Sequence, residues 1–176
     1  HYTLLPLLRQ TLYRARLILA DNYTICENIK LLCKNKTILE MPAGIDLMGQ
    51  VDVGWRAAGE VGGGWVLAPR GMTRFYQADY ILEGFARYWD RGGHLRLLLL
   101  ANLYSADKRV LEILNIFLKK YFIKIKLISR LLSPAEMQEV WRQVVAFISA
   151  PSYDGYSYSV AEGRWAGAIP LLNAIP

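Results

Sequence analysis

Two carboxylates near the end of the chain, Asp154 and Glu162, stand with seven residues between them, in Pro151-Ser-Tyr-Asp-Gly-Tyr-Ser-Tyr-Ser-Val-Ala-Glu162. The segment between them is small and polar, and it leads from an apolar run into a short helical pattern. A loop that feeds the positive end of a helix presents backbone N–H groups to an anion. A carboxylate there cannot hold phosphate, but it accepts hydrogen bonds from sugar hydroxyls. Diphosphate at the loop and sugar at the acids is the demand of a nucleotide-sugar site. Arg70 and Arg74, flanking Gly71 after an earlier apolar run, are candidates to neutralise the diphosphate without a metal ion.

Each of these features also has a reading that needs no ligand. Ser159-Val-Ala-Glu162 fits a capping box, with Ser159 as the helix cap and Glu162 reaching back to it. Asp154-Gly155 is a common turn pair, and the two arginines could be solvated loop residues. Arg130, after another apolar run, is open to both readings. His94 has no serine, cysteine or second histidine at motif spacing and reads as a loop residue, so a hydrolase triad has little support.

The elements that must carry these residues alternate in type. Short apolar runs at 17–20, 37–41, 65–68, 95–101, 123–129, 144–150 and 168–172 predict strands. Amphipathic runs at 22–33, 77–90, 106–121, 134–143 and 159–166 predict helices. Leu97-Leu-Leu-Leu100 and Val144-Val-Ala-Phe-Ile148 lack in/out alternation, as in parallel strands covered on both faces. Ser133-Pro134-Ala-Glu136 supplies a cap, a first-turn proline and an acid at the third position. The expected fold class is α/β, a Rossmann-like doubly wound parallel sheet. In such a sheet residues 69–74, 101–105, 129–133 and 151–159 all follow strands and share one rim. Gly62-Gly-Gly64 precedes a strand rather than a helix, which suits a hinge or turn better than a phosphate loop.

The 176 residues carry a net charge of +6, with 53% hydrophobic and 20% charged residues. That balance suits a globular unit with a sizeable core and favours phosphate-bearing partners or acidic lipid. Cys26 and Cys33 lie two helical turns apart, too far for an unstrained disulfide, and indicate a reducing, cytoplasmic compartment. No run is long enough to span a membrane. Trp55, Trp65, Phe75, Tyr76, Trp89, Trp141 and Trp165 fit core or helix-face positions. Without a basic-aromatic repeat, nucleic-acid binding is disfavoured. Both ends break off against structured material, as in a fragment of something larger.

These residues resemble the retaining glycosyltransferases of family 4, in which two Rossmann-like domains face each other in a GT-B fold. The likeness lies in Pro151-Ser152, Asp154, Glu162, Trp165-Ala-Gly167 and Ile169-Pro170. Met41-Pro-Ala-Gly-Ile-Asp46 is similar to the family's domain crossover, and Trp65-Val-Leu-Ala-Pro-Arg70-Gly71 to its first strand and basic loop. The resemblance implies a division into residues 1–46 (tail of the acceptor-side domain and crossover), a linker at 47–64, and a donor-binding domain at 65–176 truncated at its C-terminus. It implies catalytic roles for Asp154, beside the donor sugar, and Arg70. Glu162 would take the ribose hydroxyls. The diphosphate would rest on Gly155, Tyr156, Ser157, Ser159 and Val160 with Arg74, and residues 129–132 would frame the base. Asp154 stands where the family usually has Glu, Arg74 where it has lysine, and Arg130 where a glycine is expected. No metal cofactor is implied; the substrate is a nucleotide-diphosphate sugar, and the acceptor a carbohydrate or lipid-linked molecule. A non-catalytic nucleotide- or sugar-binding module, or a partner subunit, is the competing reading. Peripheral contact with acidic membrane through Lys119, Lys120, Lys124 and Lys126 is compatible with either.

Overall fold

The computed structural model describes residues 4–41, 64–101, 106–152 and 157–173. They fall into two compact units, one built on the first two strands and the other on a larger sheet. In the first unit, α1 (Leu4–Arg14) leads to β1 (Leu17–Ala20), α2 (Tyr23–Leu32) and β2 (Thr37–Glu40). The strands pair in parallel, with Leu17 opposite Thr37 and Ala20 opposite Glu40. Asn22 caps α2 by accepting the Ile25 N–H at 2.9 Å. Cys26 and Cys33 are free thiols and are buried, as are Ile18 and Ala20.

The second unit runs β3 (Trp65–Ala68), a single 3-10 turn (Arg74–Tyr76), α3 (Ala78–Asp90), β4 (Arg96–Leu100), α4 (Lys108–Tyr121), β5 (Ile125–Ile128), α5 (Pro134–Gln143), β6 (Val144–Ser149), α6 (Tyr158–Trp165) and β7 (Ile169–Leu172). The five strands lie in the order β5-β4-β3-β6-β7, every pair parallel. This is the doubly wound parallel sheet predicted from the alternation of runs, with boundaries shifted by a residue or two.

Residue pattern explains the layers. Along β4, Leu97 and Leu99 face one way, packing with Leu82, Phe85 and Trp89 of α3 and with Val110 and Leu114 of α4. Leu98 faces the other way and joins Val140 and Trp141 of α5, Phe147 of β6 and Ala166. Both faces are covered, so the strand needs no polar side, and each fully buried leucine contributes about 2 kcal/mol. The start of α5 is the predicted capping box: the Glu136 N–H donates to Ser133 Oγ at 3.3 Å, and the Ser133 N–H donates to the Glu136 carboxylate at 2.8 Å.

Of the aromatics expected at core or helix-face positions, Trp89 and Trp141 are buried, whereas Phe75 and Trp165 are exposed. Trp165 closes α6 on its solvent side, which the sequence pattern of so short a helix could not distinguish. Trp55, Gly62, Gly63 and the Pro42–Asp46 motif lie outside the described residues.

Candidate functional site

Because all five strands are parallel, their C-terminal ends form one rim, and a cavity of about 660 Å³ opens there. Pro69 and Gly71 after β3, Leu100 and Ala101 at the end of β4, Ser129–Leu132 after β5 and Met137 of α5 line it. The size and the largely apolar wall suit a small organic ligand with a flat face. Ser129–Leu132, the segment expected to frame a base, is on this wall. Leu131 is 91% exposed at its lip. Arg130 reaches from the same wall to Glu136, at 2.6 Å. That contact and the Ser133 cap pull the Glu136 carboxyl down to about 2.

The basic loop is held by its neighbours. Arg70 is half-buried, with its guanidinium 5.3 Å from the centre of the Tyr76 ring. The backbone N–H of Arg74 donates to the Asp107 carboxylate, and the Asp107 N–H donates to Met72 at 3.0 Å. Thr73 caps the 3-10 turn. The Ser152 N–H donates to the Phe75 carbonyl at 2.8 Å, which ties the arginine loop to the start of the acid-bearing loop. β3 and β6 are adjacent strands, so this is where a doubly wound sheet reverses its order and places its ligand crevice.

Glu162 sits in the middle of α6, half-buried against α5. Burial raises its carboxyl above the ordinary value, and the indole N–H of Trp141 pulls it partly back. That indole is near enough to act on the carboxylate, yet it closes no hydrogen bond of good geometry among the described residues. α6 approaches β6 closely because position 163 is glycine. A Cβ there would meet the Phe147 ring at 2.6 Å and Trp141 at 2.9 Å.

The structure corrects one feature of the acid segment. α6 begins at Tyr158, so Ser159 lies within its first turn rather than at the cap position that the capping-box reading gave it. Helix starts are set by where the backbone turns, and Ser157 stands one step before it. Ser157, Ser159 and Val160 are all at this end of α6. Asp154, Gly155 and Tyr156 lie outside the described residues.

The singled-out residues do not all converge. Arg70 keeps company with Tyr76, Ala78 and Ile81 on the α3 side of the sheet, and Glu162 with Trp141 on the α5 side. Among the described residues neither lines the cavity, although Pro69 and Gly71 of the arginine loop do. The sequence reading missed Asp107 as the anchor of Arg74, and Trp141 as the neighbour of Glu162. Trp141 was legible only as an apolar position on α5, because the face it shares with α6 depends on the crossover. Among the described residues no three His, Cys, Asp or Glu side chains group as a metal set.

Comparison with protein-family models and with curated proteins finds no match. Solved structures do match. TarM aligns at a TM-score of 0.73 and 10% identity, over 97% of this chain and 32% of its own. The N-terminal domain of a trehalose-6-phosphate phosphatase from Candida albicans aligns at 0.72 and 14% identity, over 90% of this chain and 44% of its own. The catalytic domain of starch synthase IV from Arabidopsis thaliana, bound to ADP and acarbose, aligns at 0.67 and 9%, over 94% and 41%. The fold is the Rossmann-like fold of GT-B glycosyltransferase domains. The chain spans less than half the length of each of these structures, and identities this low carry the fold alone.

Proposed function

We propose that this chain is the donor-binding part of a retaining glycosyltransferase. It would take a nucleoside-diphosphate sugar and serve transfer of the sugar, with retained anomeric configuration, to a carbohydrate or lipid-linked acceptor in the cytoplasm. The observation that carries the reading is the cavity at the C-terminal rim of a GT-B-like sheet, walled by Ser129–Leu132 and opening beside the arginine loop.

In this reading the base lies between Leu131 and the end of β4, held mainly by main-chain groups of 129–132. The diphosphate lies toward the switch point between β3 and β6. Arg70 and Arg74 offset its charge, aided by the positive end of α6 at Ser157, Tyr158, Ser159 and Val160. Glu162 accepts hydrogen bonds from the ribose, and Asp154 stands by the sugar. The bond from the anomeric carbon to the diphosphate oxygen breaks, and its electron pair leaves with the phosphate. Cationic groups stabilise that departure in place of a metal ion, while the sugar passes through an oxocarbenium-like state. An acceptor hydroxyl then adds to the anomeric carbon on the face just vacated and passes its proton to the departing phosphate oxygen.

The test is calorimetric titration with UDP, GDP and ADP. Saturable binding of one of them, weakened at least tenfold in Glu162→Ala while the fold is retained, is the expected result. A well-folded chain that binds none of the three would overturn the donor assignment and favour a module without this chemistry.

A further inference from the structure

The opposite rim, at the N-terminal ends of the strands, carries a second surface that the donor site does not use. Residues 119–126 read Lys-Lys-Tyr-Phe-Ile-Lys-Ile-Lys and form the corner between α4 and β5. Phe122 is 69% exposed and Ile123 is 73% exposed, and Ile116, about a turn and a half earlier on α4, is 65% exposed. A tight connection is normally polar, so two large apolar residues at its tip are unusual.

The tip does not fold back because its base is fixed. The Lys124 N–H donates to the Tyr121 carbonyl at 2.8 Å, and the Leu97 N–H donates to the Lys124 carbonyl at 2.8 Å. Lys124 also donates its ammonium to the Gly93 carbonyl at 3.4 Å. Tyr121 is held behind the tip by ring contact with Trp89 and by its hydroxyl donating to Asp90 at 2.8 Å.

The charges around the tip are mainly of one sign. Lys119, Lys120 and Lys126 are exposed and Lys124 is half-exposed, with Arg91 and His94 on the neighbouring turn. Asp90 is the opposing carboxylate at this corner, and it is already engaged by Tyr121 and by Lys120 at 3.3 Å. Glu112 lies two turns back along α4.

An apolar tip ringed by ammonium groups matches a surface with negative charge outside and hydrocarbon beneath. We propose that this corner docks the protein on an anionic membrane surface. Phe122 and Ile123 enter the boundary between headgroups and acyl chains, and Lys119, Lys120, Lys124 and Lys126 lie among the lipid phosphates. Since the corner is on the rim opposite the cavity, docking leaves the cavity open to water and to soluble ligand. Among the described residues no helix is long and apolar enough to cross a membrane, so the contact is peripheral.

The experiment is co-sedimentation of the full chain with phosphatidylcholine vesicles, with and without phosphatidylglycerol, at low and high salt. Three proteins are compared: the parent, Phe122→Ser/Ile123→Ser, and Lys119→Gln/Lys126→Gln. Binding is expected only to the anionic vesicles and should fall steeply with salt. Each lysine removed should weaken it about fivefold, the equivalent of ~1 kcal/mol. The serine pair, which keeps every charge, should weaken it about tenfold or more. These positions are exposed, so thermal midpoints should stay at the parent value. Two results would overturn the proposal: no binding to anionic vesicles at low salt, or equal binding by the parent and the serine pair. Equal binding of both to a soluble polyanion such as RNA, with none to vesicles, would assign the corner to nucleic acid instead. Nucleotide titration of the same variants reads the donor site separately, so either assignment can fail alone.

Discussion

Adding one methyl group at Gly163 and one at Gly84 should move stability in opposite directions. Both glycines are helical, in α6 and α3, so each replacement by alanine gains about 1 kcal/mol of helix propensity. At Gly84 the new Cβ meets nothing within 4 Å, and that gain should be kept. At Gly163 the new Cβ meets Phe147 carbons at 2.6 and 2.7 Å and a Trp141 carbon at 2.9 Å, where about 3.5 Å is the comfortable carbon separation. Phe147 and Trp141 are 0% and 4% exposed and pack edge to face, so neither ring has space to retreat. Overpacking of this kind costs about 1–3 kcal/mol. The net expectation is a loss of up to about 2 kcal/mol for Gly163→Ala against a gain of up to about 1 kcal/mol for Gly84→Ala. For a chain of this length each kilocalorie moves the thermal midpoint about 2–4 °C. Urea denaturation of both variants beside the parent measures the difference. A stabilised Gly163→Ala would refute the close approach of α6 to β6, and with it the placement of Glu162 beside Trp141.

The remaining predictions concern the charged groups of the site. Glu162→Gln should be at least as stable as the parent at neutral pH, because a raised folded-state pKa favours the fold below the ordinary carboxyl range and loses that contribution as pH rises through it. The same change should weaken nucleotide binding, so stability and affinity part company; parallel losses in both would argue against the assignment. Glu136 has the reverse sign. Its folded-state pKa near 2, against an ordinary 4.5, gives a contribution present above about 4.5 and lost as pH falls toward 2. Glu136→Gln should flatten that part of the acid unfolding profile, and an unchanged profile would argue against the contacts of Glu136 with Arg130 and Ser133. Arg70→Ala should cut nucleotide affinity about tenfold or more by removing a charge-assisted contact, with little change in thermal midpoint. Undiminished affinity, measured by calorimetry, would dismiss Arg70 from the site.

The fold was legible because both cores are written locally. Leu97–Leu100 and Val144–Ile148 announce strands buried on both faces, and the Ser133-Pro134-Ala-Glu136 start marks α5 to the residue. The doubly wound class followed from the alternation of strand and helix, since parallel neighbours must be joined by crossovers, whereas the order β5-β4-β3-β6-β7 depends on contacts distant in sequence. The rim followed in turn, because residues 69–74 and 129–133 both follow strands that run in parallel. What stayed hidden depends on three-dimensional neighbours. Gly163 looked like an ordinary small residue until Phe147 and Trp141 were found beneath it. Asp107 and Arg74 are separated by 33 residues, and nothing in either stretch marks the other as its partner. The exposed Ile123 read as the start of a strand and Phe122 as the step before it, because apolar content alone cannot distinguish a buried run from a projecting corner.

The central claim is that the rim cavity receives the nucleotide, and amide chemical-shift mapping during nucleotide titration tests it most directly. The account predicts saturable shifts concentrated at Gly71, Ala101 and Ser129–Leu132 and at the first turn of α6, with the α4–β5 corner unmoved. Shifts confined elsewhere, or none at saturating UDP, GDP and ADP, would contradict it.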